Sequence, residues 1–526
     1  MKTIKELKLG FSDAQNYSQR KNKKFFNDIF VKNTFLDSLL DDNIYFLIGE
    51  KGTGKTAYAT YLSNNSYKNT RGLTTFINAT DYEKFYTLKQ QKGLCLSDYS
   101  SIWKVIILLL LSQFILENEK SIYPLNKSKL KAIQKAINEY YSKAFSPEVS
   151  QIMNIVDESE IFAKLLCKYS EASGKQSQTI EFSETKIQHN LYYIEKMFSN
   201  ALSSIKLKDD IVLFIDGIDI RPEKIKYEEY IECIKGLADA VWFLNTSTFA
   251  NIKGSDGLFR VVLLLRPDIY YSLSLQNAAA KLKDNAVYLD WTTTYENSEN
   301  SILYDVANKI LSNDQEFDPN IEDYFKVYFP WKKDDRTAFM EFLKISLSRP
   351  RDILMIMQII QENMNRNNSS SMCSFKKEVY ESNNFQNSYS EYFLSSLKDQ
   401  LSFYYSNNEF DLLVEFFKKF DESTFSYQDF CTKFDEFGEY ILNNENDIPE
   451  FMTNQNKLLQ ILYDSNIIGA IENAESNAVF YHFSYREREI YNIYPKVPIG
   501  ENFIYCFHYG MYKKVKLGRY ELTPKS

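Results

Sequence analysis

Phe46-Leu47-Ile48-Gly49-Glu50-Lys51-Gly52-Thr53-Gly54-Lys55-Thr56-Ala57 joins an apolar run to a glycine-rich turn and then to a helical pattern. Residues Gly49–Thr56 match G-x4-G-K-[ST], a phosphate-binding loop when a strand precedes it and a helix follows. Each position has a physical reason. The glycines Gly49, Gly52 and Gly54 let consecutive backbone N–H groups turn toward one anion. Glu50, Lys51 and Thr53 complete the loop, and Ala57 continues the helix whose positive dipole end adds to the site. Lys55 brings a cation to the β- and γ-phosphates, and the Thr56 hydroxyl suits a Mg²⁺ shell. ATP or a closely related nucleotide is the expected ligand, with Mg²⁺. No base-reading motif separates ATP from GTP.

Outward from this loop, four more strands are expected at Thr74–Asn78, Ile211–Ile215, Val261–Leu265 and Ala286–Leu289, with helical stretches between them. Alternating strands and helices predict an α/β fold on a mostly parallel sheet. The third strand ends in Asp216, the natural metal anchor beside Thr56. Asp219, three residues on, is placed to polarise an attacking water. Many ATPases of this layout carry Glu next, but residue 220 is Ile, so either Asp219 takes that role or hydrolysis is slow. Arg266, at the end of the fourth strand, reads either as a γ-phosphate sensor or as a surface arginine before a helix opened by Pro267. Arg349 and Arg351 flank Pro350 at another helix start; they either reach the nucleotide or serve an ordinary first turn. Arg221 and Arg260 are further arginines that an oligomer interface could present in trans.

The rest of the chain limits other functions. Its 526 residues allow about three domains. The expected division is 1–290 for the α/β core, with an N-terminal extension and a helical insertion at about 99–204. A helical lid at 291–370 and a C-terminal module at 371–526 follow, with the polar stretch Asn367–Ser371 between them. The net charge of −8 argues against a chain-wide nucleic-acid footprint. Six scattered cysteines without a Cys-x-x-Cys pair, and three histidines, leave little material for a zinc site or disulfide framework. The charged start of the chain lacks the apolar core of a signal peptide. The apolar run Val105–Leu111, within Ile102–Leu116, reads as a buried helix rather than a membrane span. A cytoplasmic protein is expected.

Taken together these segments resemble a bacterial P-loop ATPase family related to AAA+ and STAND (NACHT-like) NTPases. The likeness rests on Phe46–Ala57 and on Phe214-Ile215-Asp216-Gly217-Ile218-Asp219-Ile220-Arg221-Pro222. It extends to Leu263-Leu264-Leu265-Arg266-Pro267-Asp268-Ile269, to Leu289-Asp290-Trp291 and to Arg349-Pro350-Arg351-Asp352. The departure is Ile220, where NACHT-type proteins have Glu. The resemblance implies a P-loop NTPase core with a parallel five-stranded sheet ordered 5-1-4-3-2, a helical lid and a winged-helix-like C-terminal domain. It also implies a switch or assembly role, and relatives often act in bacterial defence against phages.

In the C-terminal module, helices precede the apolar runs Ile467–Ile471, Val479–Tyr485 and Phe503–His508, a winged-helix-like pattern. Its expected recognition helix, about Asn454–Ser465, carries Lys457 against Asp464 and no arginine, poor material for DNA phosphates. The basic residues Lys513, Lys514, Lys516 and Arg519 follow. The expected function is an ATP-binding, ATP-hydrolysing switch that controls self-assembly into a homo-oligomer or a protein effector. A DNA-engaging ATPase and a nucleotide sensor with little hydrolysis are the alternatives. Nucleic acid is the less favoured partner, and no membrane is expected.

Overall fold

Asp210–Asp216 and Phe259–Leu265 show no polar–apolar alternation, and in the computed structural model both are strands buried along almost their whole length. Such runs need cover on both faces, which a parallel sheet between helices supplies. The structure describes residues 1–77, 97–118, 120, 122–123, 128–142, 184–222, 225–313, 315, 320–366, 371–443, 448–473, 479–489, 492–500 and 503–515. They cluster into two units: Met1–Thr34 with Gly49–Gly54 and Tyr288–Ser526, and Phe35–Ile48 with Lys55–Val287.

The second of these holds the main sheet. Its strands are β1 (Phe46–Ile48), β2 (Ser66–Tyr67), β3 (Thr70–Phe76), β4 (Asp210–Asp216), β5 (Phe259–Leu265) and β6 (Ala286–Tyr288), in the order β2-β3-β4-β5-β1-β6. β3, β4, β5 and β1 pair in parallel, and β2 runs antiparallel to β3. The sequence suggested five strands; β2 makes a sixth. It is only two residues long, and the turn that creates it, Lys68-Asn69, has both residues left-handed (φ 46° and 61°). A two-residue hairpin needs that conformation, but Lys-Asn is a weaker signal for it than Asn-Gly. β3 starts four residues before the expected Thr74, and Asn78 lies outside the described residues.

Helices α1 (Lys55–Asn64), α2 (Ser97–Glu117), α3 (Leu130–Ser142), α4 (Glu184–Ser203) and α5 (Tyr227–Phe243) belong to the same unit. The middle of the expected helical insertion, 143–183, lies outside the described residues. α2 packs against α4 and α5. The Trp103 indole donates to the Cys233 carbonyl at 3.2 Å. Where α5 meets α2, a Cβ on Gly236 would lie 2.5 Å from that of Tyr99, so only glycine permits the approach. Within α2, Tyr99–Glu117 is long and apolar enough to cross a bilayer, longer than the apolar run alone suggests; most of it is buried inside the protein.

The other unit carries α6 (Ile302–Ser312), α7 (Ala338–Ile345), α8 (Pro350–Arg366), α9 (Asn383–Leu401), α10 (Asn407–Phe417), α11 (Tyr427–Asn443) and α12 (Gln455–Asp464). The helix start expected around Pro350 is present: the chain turns at Ser348, which is left-handed (φ 50°), and α8 begins at Pro350, whose fixed φ suits a first helical turn. A second hairpin, Lys332–Lys333 with Arg336–Thr337, turns on left-handed Asp334 and Asp335. The stretch 367–370, most of the expected linker, lies outside the described residues.

Near the C-terminus, β7 (Thr424–Ser426), β8 (Ile468–Asn473), β9 (Val479–His482) and β10 (Ile504–Phe507) form an antiparallel sheet ordered β9-β8-β10-β7. The sequence pattern contains three of these strands; β7 is too short to alternate. Phe417, Phe420, Phe425 and Phe507 meet at ring-centroid distances of 4.7–5.6 Å beneath it. Lys516 and Arg519 lie outside the described residues.

His508 follows β10 and is buried, stacked on Phe393 with centroids 4.7 Å apart. Its Nδ1 accepts the Gly510 N–H at 3.2 Å. Burial pushes its pKa down to about 3, and Arg486 and Arg349 lower it further against the opposing charge of Asp352. Below the ordinary value of 6.5 the unfolded chain therefore takes a proton that the folded chain refuses. Stability is full above that pH and is lost as the pH falls toward 3, with a slope approaching about 1.4 kcal/mol per pH unit. Denaturant melts from pH 7 to 4 should show this slope for the native chain and a shallower one for His508→Phe. Equal slopes would remove His508 as the cause.

Candidate functional site

Gly49–Gly54 leaves the end of β1 and enters α1 at Lys55. Gly52 and Gly54 are left-handed, with φ of 91° and 96°, as a turn that gathers N–H groups requires. Four successive carbonyls of the loop have donors. That of Glu50 accepts the Thr53 hydroxyl at 2.8 Å and, at 3.3 Å, its N–H. That of Lys51 accepts Arg349 Nη1 at 2.7 Å. The Gly52 carbonyl accepts the Arg351 N–H at 3.3 Å, and the Thr53 carbonyl accepts the Trp291 indole at 2.9 Å.

These donors come from the start of α8 and from the segment after β6. Arg349 is buried and forked onto Asp352, with both N–H···O distances at 2.9 Å. Asp352 also accepts the Tyr392 hydroxyl at 2.7 Å and the Leu347 N–H at 3.0 Å. Arg351 differs: it is half-buried, and its side chain donates to the Ser12 carbonyl. The two arginines that the sequence left level thus separate. Arg349 supports the loop through its side chain, and Arg351 through its backbone. Lys51 pairs with Asp399 at 3.1 Å. Trp291→Phe deletes one neutral hydrogen bond to the loop. It should cost about 1 kcal/mol of stability and a few-fold in nucleotide affinity, read by thermal melts and nucleotide titration. An unaltered affinity would show that the loop does not need this bond.

In the unit that holds the main sheet, Lys55 and Asp216 are buried and Thr56 is half-buried at the first turn of α1. The Thr56 hydroxyl donates to Asp216 Oδ2 at 2.5 Å, and the Gly217 N–H donates to Oδ1 at 2.8 Å. Burial raises the Asp216 pKa and the charge of Asp219 adds to this, while Thr56, Lys55 and the Gly217 amide oppose it. Ala57 is half-buried on α1. Asp219 is half-exposed on the loop after β4, and the Tyr230 hydroxyl of α5 fixes that loop through the carbonyls of Ile218 (3.0 Å) and Ile220 (3.1 Å). The Ile220 side chain is exposed.

Arg266 does lie at the end of β5, but it is 1% exposed and forked onto Asp268. Its reading as a surface arginine does not hold, because the side chain is buried. Arg260 is buried, donating to the carbonyls of Asp41 and Ile44, and burial lowers its pKa. It is an internal brace rather than a finger offered in trans. Arg221 donates to the Ile225 carbonyl.

Three residues that sequence reasoning missed touch the loop or its neighbours: Asn466 and Arg488, which reach Glu50, and Tyr392, which holds Asp352. Trp291 was in view only as part of a quoted pattern. Among the described residues no group of three or more His, Cys, Asp or Glu could hold a metal ion. No family model matches the chain. No curated protein matches it.

Proposed function

We propose that this chain binds ATP with Mg²⁺ through Gly49–Thr56 and hydrolyses it slowly as a molecular switch. The observation that carries the reading is the pair Thr56–Asp216 at 2.5 Å, in a chain whose glycine turn has Gly52 and Gly54 left-handed. A hydroxyl held by a buried carboxylate is the donor set that a magnesium-nucleotide site uses, so the residues present fit the group. Thr56 and Asp216 would hold the metal, and Gly49–Lys55 the phosphates. When bound, Mg²⁺ neutralises phosphate charge. Lys55 adds a fixed positive charge, and Asp219, on a loop pinned by Tyr230, orients a water. Leaving out β2, the strand order reads 5-1-4-3-2, which supports a P-loop NTPase core. The C-terminal sheet with α12 supports a winged-helix-like module.

Control of self-assembly or of a partner effector in the cytoplasm, within anti-phage defence, follows from the resemblance to AAA+ and STAND proteins. A sensor with little turnover is the second reading, favoured by the exposed Ile220 and by Arg266 locked to Asp268. Phosphate release separates the two. On the first reading Asp219→Asn lowers release by about 10²-fold or more while fluorescent ATP still binds. Release by the native chain no faster than by Lys55→Ala would leave only the sensor.

A further inference from the structure

Glu50 is the second residue of the phosphate loop and is 5% exposed. A buried carboxylate there opposes a polyphosphate arriving at the same loop. Its partners come from the C-terminal sheet region. Arg488 Nη1 donates to Glu50 Oε1 at 2.6 Å, and the Asn466 amide donates to its two oxygens at 3.3 and 3.1 Å. Both partners are themselves anchored. Asn466 is left-handed (φ 60°) just beyond the end of α12, where asparagine suits the helix stop, and its Oδ1 accepts the Tyr485 N–H at 2.8 Å. The other arm of Arg488 holds Asp464, the last residue of α12, through both its carboxylate and its carbonyl. Arg488 and Asn466 are 3% and 0% exposed, so water screens none of these charges well.

We propose that Arg488 is a positioning residue of the phosphate loop. It neutralises and fixes Glu50, so that nucleotide affinity is coupled to the seating of the C-terminal sheet against the loop. This rests on the nucleotide reading above. The fork of Arg488 spans two carboxylates, Glu50 in the loop and Asp464 on α12, which a lysine ammonium cannot do in the same geometry. By linkage, nucleotide must in turn strengthen the seating of that segment.

The test is a double-mutant cycle read by titration with a fluorescent ATP analogue. Arg488→Gln is compared with the native chain, and Glu50→Gln/Arg488→Gln with Glu50→Gln. With Glu50 present, losing Arg488 weakens binding by about tenfold or more; in the Glu50→Gln background the same loss costs about threefold at most. Arg488→Lys recovers part of the loss. Thermal melts of all four proteins show whether each is folded; if Arg488→Gln is not, the same cycle with Arg488→Lys reads the same coupling. Equal losses in the two backgrounds, or no loss in either, overturn the proposal. A native chain that binds no better than Lys55→Ala overturns the nucleotide reading itself, and this inference with it.

Discussion

Lys55→Ala lowers nucleotide affinity by about 2–5 kcal/mol, roughly thirtyfold to several-thousandfold. Lys55 is buried at the first position of α1, where its charge adds to the helix dipole. In this setting an ammonium is worth more than on an open surface, because little water screens it. It also opposes the burial-driven rise in the Asp216 pKa, so its loss changes the metal side of the site too. Lys55→Met keeps the aliphatic stem and separates charge from packing. Both variants should lose affinity alike, and Lys55→Met should melt closer to the native protein. Binding by Lys55→Met at native strength would sink the phosphate-loop reading.

Asp352→Ala costs about 3–5 kcal/mol of stability, the range for breaking a buried ion pair by removing one partner. Asp352 is 0% exposed and accepts four hydrogen bonds, two of them from Arg349. Burial alone would raise its pKa, but the charge and hydrogen bonds of Arg349, helped by Leu347 and Tyr392, hold it below 3.8. Its contribution is therefore complete above that pH and fades only in stronger acid. Removing it also releases Arg349 from the geometry in which it holds the Lys51 carbonyl. Denaturant melts and nucleotide titration should both shift. A full loss of stability with native nucleotide affinity would confine Arg349 to a structural role.

The strand-turn-helix around Gly49–Thr56 and the buried strand ending in Asp216 were legible because local chemistry dictates both. A phosphate turn needs its glycines in sequence, and a strand covered on both faces must be apolar throughout. The short strands β2 and β7 were not legible, since two or three residues carry no periodicity. Arg488 was invisible for a different reason. It lies in the charged run Arg486-Glu487-Arg488-Glu489, which carries no motif, and its partner Glu50 is 438 positions away. The pairing depends on tertiary structure alone. Arg266 had the expected position, yet the signal for its ion pair, Asp268 two residues on, was read as part of a helix start.

Four consecutive carbonyls from Glu50 to Thr53 already have donors. A peptide unit is planar and trans, so fixing a carbonyl in one direction turns the next N–H the opposite way. The amides of Gly52 and Gly54 are thus aimed before any anion arrives, and ordering them adds little to the entropy cost of association. Calorimetry of polyphosphate binding should then show only a small unfavourable contribution from chain ordering. Trp291→Phe, by freeing one peptide unit, should make that contribution larger.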